Sequence, residues 1–259
     1  MGIDGSDAAI NAAKWAVAEA TSRDVPLHLV HVIPERRAEA PADDDSLDVE
    51  YGETALRAAA AALHAMDESV KIETDLVHGS PAGGLIGESR DAAMACLGSV
   101  GIGQVARKVI GSTADAVARN AHCPVAVIRT DREAGEPPAG SIAVVVDDSR
   151  GNDAVLEQGF REAVLRKAPI LAMGVWRWSL GEIPYHKLNR RLGRWVTAHP
   201  EVHVRPVAAR RGAAEFLAGT QEPVQLAVVA SGDADKVARM VGPVTPHFGR
   251  SGCSVLVVR

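Results

Sequence analysis

The sequence predicts an α/β protein built from two tandem doubly wound domains, each a mostly parallel five-stranded sheet with helices on both faces. Three observations predict it. Short apolar runs alternate with stretches of helical periodicity along the whole chain, the order that builds a parallel sheet covered on both sides. At 259 residues the chain is long for one such domain and sufficient for two of about 130, each able to bury a core. The two halves also close on nearly the same phrase, His122-Cys123-Pro124-Val125-Ala126-Val127-Ile128-Arg129 and Gly252-Cys253-Ser254-Val255-Leu256-Val257-Val258-Arg259, which duplication explains better than chance.

The elements follow in order. Met1 to Ile3 reads as a strand ending in the turn Asp4-Gly5-Ser6, and Ile10, Ala13, Val17 and Ala20 then recur at helical spacing to about Thr21. Leu27 to Ile33 is an apolar strand, Glu39 to Glu50 reads as an acidic loop, and Glu53 to Met66 as a helix. Ile72 to Val77 is a strand, Ala82 to Arg90 a helix, Ala92 to Leu97 a strand, Ser112 to Asn120 a helix and Val125 to Ile128 the last strand of this half. Residues 1–130 thus form the first domain. Asp131 to Gly140, with two adjacent prolines and two glycines, has linker composition. Residues 141–259 repeat the pattern: Ile142 to Val146 precedes Asp147-Asp148-Ser149, and Leu226 to Ala230 precedes Ser231-Gly232.

Composition bounds the function. The apolar and charged fractions, 47% and 24%, are those of a globular protein and exclude a disordered chain. With no apolar run of about 18 residues and no signal-peptide pattern, the reading is a cytoplasmic protein without membrane contact. Met1-Gly2 with Ser6 matches a myristoylation pattern, but the same residues read better as a strand entering a turn. Cys96, Cys123 and Cys253 form no C-x-x-C pair and sit in apolar runs, which favours buried thiols over disulfides or a metal site. Arg190, Arg191, Arg194, Arg205, Arg210 and Arg211 concentrate positive charge in the second half. The chain as a whole carries a net charge of -5 with few aromatics, so these read as a solvated helix face and turn rather than a nucleic-acid surface. Trp176 and Trp178 alternate at a strand end, as core or as a partner surface.

The richest stretch is Leu97-Gly98-Ser99-Val100-Gly101-Ile102-Gly103, followed after Ile110 by Gly111-Ser112-Thr113. Glycines just after a strand bring backbone N–H groups close to an anion, and Gly111-Ser112 opens a helix whose positive end favours negative charge. A phosphate suits both. Ser112 also reads as an N-cap, with Asp115 three residues on completing a capping box. Gly101-Ile102-Gly103-Gln104-Val105-Ala106 fits a dinucleotide fingerprint, but Gly111 would cut its helix short, and the motif closes the repeat unit where a Rossmann fingerprint opens one. There is no G-x-S-x-G elbow, no H-E-x-x-H, no Walker lysine frame and no metal-ligand spacing among the nine histidines, so no catalytic or metal residue is assigned.

Glycine, two residues, glycine, nine residues, glycine, serine resembles the nucleotide-binding pattern of the universal stress protein family, and Gly98, Gly101, Gly111 and Ser112 match it without a gap. The resemblance extends to Asp4-Gly5-Ser6, His31-Val32, Gly79-x-Pro81 and His122-Cys123-Pro124-Val125. It implies an ATP-binding stress-response regulator, the nucleotide alone or with magnesium. Asp4 and the backbone at Val32 would hold the adenine end, and the glycine loop with Ser112 and Thr113 the ribose and phosphates. It further implies a protein partner, a possible homodimer and at most slow ATP hydrolysis. Asp4 with Gly5 also reads, taken alone, as an Asx-type turn. The second half departs from the pattern: Ala230-Ser231-Gly232-Asp233-Ala234-Asp235 loses the glycine spacing and adds negative charge, and Pro243 follows Gly242. Little or no nucleotide binding is expected there. Against the leading reading stand an interaction module of the same fold that has given up nucleotide, and a slow ATPase. Only three residues precede Asp4 where five apolar residues precede Asp147. A start that is truncated or stunted would hold Asp4 less firmly and impair adenine binding.

Overall fold

The computed structural model describes residues 1–35, 42–67, 69–101, 110–129, 140–175, 185–242 and 252–259. The chain divides into two compact units, Met1–Thr130 and Asp131–Arg259. The first contains α1 (Asp7–Arg23), β1 (Leu27–Ile33), α2 (Ala42–His64), β2 (Ile72–His78), α3 (Pro81–Glu88), β3 (Ala95–Gly98), α4 (Ser112–Asn120) and β4 (Val125–Ile128). β1 pairs parallel with β2, from Leu27 opposite Ile72 to Ile33 opposite His78. β3 pairs parallel with β4, from Ala95 opposite Val125 to Gly98 opposite Ile128.

The three residues before Asp4 join these two pairs. Val30 N donates to Met1 O and Ile3 N to Val30 O, both at 2.8 Å, while on the other side Gly2 N donates to Cys96 O at 3.2 Å. The spatial order is therefore β2, β1, Met1–Ile3, β3, β4. The chain winds outward from its first strand in one direction and then in the other, which opens a crevice beyond the carboxyl ends of the central strands.

Local chemistry fixes the element ends. The Ser6 side chain accepts from Ala9 N and caps α1, and Ser80 caps α3 with Pro81 in its first turn. β1 is buried almost throughout, as a central strand covered on both faces should be, and β4 is buried throughout as well. β2, at the edge of this unit, carries exposed Glu73 and Asp75, charges that discourage further pairing.

The second unit contains β5 (Ser141–Val146), α5 (Asn152–Arg166), β6 (Ile170–Gly174), α6 (Tyr185–Ala198), β7 (Val204–Ala208), α7 (Ala213–Gly219), β8 (Val224–Ala230), α8 (Val237–Val241) and β9 (Ser254–Val258). Its parallel strands run β7, β6, β5, β8, β9, the same winding as the first unit. The likeness reaches individual residues. α1 and α5 each end on a non-glycine residue in the left-handed region, Asp24 at φ 51° and Lys167 at φ 49°, and each is followed two residues later by a proline, Pro26 and Pro169. Each also carries a buried glutamate paired with an arginine one turn on, Glu19 with Arg23 at 3.3 Å and Glu162 with Arg166 at 2.9 Å. The core of this unit centres on Phe160, Leu156, Ile142, Met173, Leu226 and Leu256, all fully buried.

Several boundaries differ from the sequence reading. The acidic loop over Glu39 to Glu50 is helical from Ala42 onward, and the helix expected over Glu53 to Met66 is the latter part of α2, ending at His64. Acidic residues favour the positive end of a helix as well as a loop, so composition did not separate the two. The strand expected over Ala92 to Leu97 starts only at Ala95 and includes Gly98. Gly103 to Ala106, the linker residues Asp131 to Ala139, Trp176, Trp178 and Pro243 lie outside the described residues. All three cysteines are buried and form no disulfide. Among the described residues no helix is long and apolar enough to cross a membrane, and no group of His, Cys, Asp and Glu could hold a metal ion.

Candidate functional site

A cleft of about 320 Å³ opens in the first unit where the winding reverses, and Asp4, Val32, Gly98, Gly101, Gly111, Ser112 and Thr113 all line it. Residues spread over more than a hundred positions meet because Met1–Ile3 and β3 are neighbours and their following turns face each other. Ile3, Val30, Leu85 and Leu97 supply apolar wall. A further cavity of this unit surrounds Met1 at the amino ends of the strands, the end opposite to where open α/β sheets take ligands.

The glycines do different work. A Cβ on Gly98 would lie 2.9 Å from the backbone C and O of Ala8, so glycine there lets α1 press against the end of β3. A Cβ on Gly101 would run into Asp4 Oδ2, so the loop and the carboxylate share one space. A Cβ on Gly111 would meet nothing closer than 3.7 Å among the described residues, the nearest atom being Ser99 O. That place is not crowded by them, and Gly111 lies on the wall of the cleft.

Gly111, not Ser112, is the N-cap of α4, and it makes no side-chain cap bond. The expected capping box is therefore corrected: Ser112 is the first residue of the helix, and Asp115 binds Arg119 at 3.0 Å instead. A serine one position further along points its hydroxyl away from the capping N–H groups, so the box needs a residue that glycine has displaced. The first N–H groups of α4 have no carbonyl one turn back. With the positive end of the helix dipole they offer donors at the wall formed by Ser112, Thr113 and Ala114. Gly111 N itself is taken by Ser99 O at 2.7 Å.

Asp4 is held from several sides. Its Oδ1 accepts from Ser6 N at 3.0 Å and Ser6 Oγ at 2.6 Å, the Asx turn that the Asp-Gly-Ser sequence allowed. Gly5 takes φ 84° to complete that turn. The buried His31 places Nδ1 2.8 Å from Ile3 O, so this nitrogen carries the proton and donates. Tyr51 Oη donates to Asp4 O at 3.0 Å and meets the His31 ring edge-on at 5.8 Å. Val32 sits beneath α3, where Gly84 approaches its methyl groups within about 3.0 Å of a Cβ position. Sequence reading gave no role to Tyr51 and assigned His31 no catalytic or metal role. Tyr51 is 47 positions from Asp4, and nothing local marks it. Ser99 was passed over as well; it is buried, and its hydroxyl has no partner among the described residues.

The second unit repeats the frame and changes the end. Asp147 Oδ1 accepts from Ser149 N at 2.8 Å, the same turn as at Asp4. After β8, however, Ser231–Lys236 coils into a 3-10 turn that leads directly into α8. Asp233 and Lys236 pair at 2.7 Å, and this carboxylate holds the Lys236 ammonium above its usual range.

A doubly wound α/β unit with a glycine-bordered cleft at its switch point defines a ligand-binding class of fold. Comparison with known proteins narrows it. The profile of the Universal stress protein family matches residues 1–129. The universal stress protein Rv2624c of Mycobacterium tuberculosis is 48% identical over 100% of this chain and 95% of its own length, and Rv3134c of the same organism is 38% identical over 100% and 94%. The chain belongs to the universal stress protein family, a family of stress-response proteins. In fold it is similar to the crystal structure of a universal stress protein from Archaeoglobus fulgidus, with a TM-score of 0.69 at 17% identity over 100% of this chain and 94% of that one.

Proposed function

We propose that the first unit binds an adenine nucleotide, ATP, with Asp4 and the backbone at Val32 at the adenine end and Gly98, Gly101, Gly111, Ser112 and Thr113 around ribose and phosphates. The observation that carries this reading is that one cleft collects all seven residues, with the free end of α4 on its wall. Its volume, about 320 Å³, lies at the small end of ligand pockets, which run from roughly 300 to 1,000 Å³. Among the described residues no lysine or arginine lines it, so backbone N–H groups and the helix end would meet the phosphate charge, with magnesium as a further counter-ion where it accompanies ATP.

The reading is of binding with little or no turnover, in the service of a protein partner. Among the described residues the titratable side chains on the cleft wall are Asp4 and His31. Both are committed, Asp4 to Ser6 and His31 to the Ile3 carbonyl, which leaves neither placed as a general base. The second unit is read as a partner of the same fold without nucleotide, because the 3-10 turn Ser231–Lys236 stands where the first unit has its glycine loop.

Calorimetric titration with ATP tests the proposal. The expected result is saturable binding close to one ATP per chain, lost in Gly101→Asp, which sets a second carboxylate against Asp4. Absence of binding by the wild-type protein, or equal binding by the variant, refutes it. Two ATP per chain would refute the reading of the second unit.

A further inference from the structure

Two consecutive carbonyls, those of Ile3 and Asp4, are gripped from the same side. His31 Nδ1 holds the first at 2.8 Å, and Tyr51 Oη holds the second at 3.0 Å. The grip is tight: Gly52 brings α2 against the His31 ring and Leu76, and a Cβ on Gly5 would collide with the Tyr51 hydroxyl. Although Tyr51 is 49% exposed, its hydroxyl is thus set on the backbone of the one residue that carries the carboxylate of the cleft.

The second unit supplies an internal comparison. There the helix in the same place, α6 between the second and third strands, sends Arg191 Nε to Asp147 O at 3.3 Å. A phenol and a guanidinium share no chemistry except that both donate. What the two units have in common is a donor from that helix to the carbonyl of the aspartate after the first strand.

We propose that Tyr51 is a positioning residue of the cleft, its hydroxyl fixing the Asp4 peptide so that the carboxylate stays turned toward Gly101 and the adenine end of the ligand. The inference rests on the nucleotide reading above. Removing the hydroxyl while keeping the ring, Tyr51→Phe, leaves the edge contact with His31 and deletes the donor alone. Tyr51→Arg, which copies the second unit, restores a donor.

The test is titration of the full chain with ATP and with adenosine, followed by chemical shifts, for wild type, Tyr51→Phe and Tyr51→Arg. One hydrogen bond of this kind corresponds to about a three- to tenfold change in affinity. The expected result is that Tyr51→Phe weakens ATP and adenosine by the same factor in that range while its spectrum stays native, and that Tyr51→Arg recovers most of the loss. Equal affinities for wild type and Tyr51→Phe overturn the inference, as does a loss confined to ATP, or a loss that Tyr51→Arg does not reverse. If the wild-type protein binds neither ligand, the nucleotide reading itself fails and the positioning role falls with it, a result distinct from any difference among variants.

Discussion

Two glycines of one motif should respond in opposite ways to the same methyl group. Gly98→Ala puts a Cβ 2.9 Å from the backbone C and O of Ala8 and 3.1 Å from its Cβ. These are backbone atoms in the first turn of α1, so no flexible side chain can give way, and the helix must move off β3. Overpacking of this kind costs about 1–3 kcal/mol, and the unit should lose that much stability in denaturant unfolding without ligand. Gly111→Ala meets nothing closer than 3.7 Å, and its backbone, φ -71° and ψ 149°, suits alanine. Lower entropy of the unfolded chain gains about 0.4–1 kcal/mol, and the poorer N-cap loses a similar amount, so stability should stay within about 0.5 kcal/mol of wild type. Gly111 lines the cleft, and with a methyl added to that wall ATP affinity should fall at least about tenfold, equivalent to 1.4 kcal/mol. Unfolding and titration on the two variants separate the effects. If Gly98→Ala is neutral, or Gly111→Ala binds ATP as wild type does, the assignment of these glycines to packing and to ligand space is wrong.

Two further predictions concern the second unit. Glu162→Ala removes the buried carboxylate that pairs with Arg166, whose side chain is 10% exposed, and should destabilise the chain by about 3 kcal/mol or more, while pairing it with Arg166→Leu recovers at least half. Calorimetric unfolding checks this, and a single-variant cost under about 1 kcal/mol would refute the claim that the buried pair holds α5 in place. Arg194, joined by Arg191, holds the Asp153 carboxyl below its usual range near 3.8. A carboxylate with a lowered folded pKa stabilises above its unfolded pKa and loses that contribution as pH falls through the folded one. Wild type should therefore lose stability more steeply than Asp153→Asn as pH drops through and below 3.8, with little difference at neutral pH because the pair is exposed. Parallel pH slopes for the two proteins would remove Asp153 from the account.

Much of the fold was legible because it depends on periodicity. The strands Leu27–Ile33 and Val125–Ile128 and the helix Ser112–Asn120 have the bounds their apolar patterns predict. A buried parallel strand leaves an uninterrupted apolar run, and a helix leaves a 3.6-residue repeat. Where composition serves two structures, the reading failed. The acidic stretch before Glu53 suits both a loop and the first turns of α2, and Ser112 suits both an N-cap and a first helical residue. The cleft residues that could be named lie at strand ends, in the turns after them or at the start of α4, where the chain order already places them together. Tyr51 could not be named, because its contact with Asp4 depends on where α2 crosses the sheet, and a sequence pattern carries no crossing angle. The repeated Glu–Arg pairs at 19 and 23 and at 162 and 166 were present in the sequence but silent. An acid and a base four residues apart usually mark an exposed helix face, and only burial shows these as core.

The two units keep the frame and differ in the turns, and physical chemistry accounts for the division. A strand in the middle of a parallel sheet has both rows of backbone groups bonded and both faces covered, so one altered residue disturbs several neighbours at once. A turn beyond the strand end is bonded mainly to itself. The Asx turns at Asp4 and Asp147 therefore persist together with the donor that grips each aspartate from the adjacent helix, Tyr51 in one unit and Arg191 in the other. The segment after the fourth strand is free to differ: Gly101 and Gly111 border the cleft in the first unit, and Ser231 to Lys236 is coiled in the second. A carboxylate presented by the sheet is thus a property of the fold that both units have. What distinguishes them is whether the facing turn leaves room beside it, and in the first unit that room is kept by a glycine at 101, where any side chain would strike Asp4.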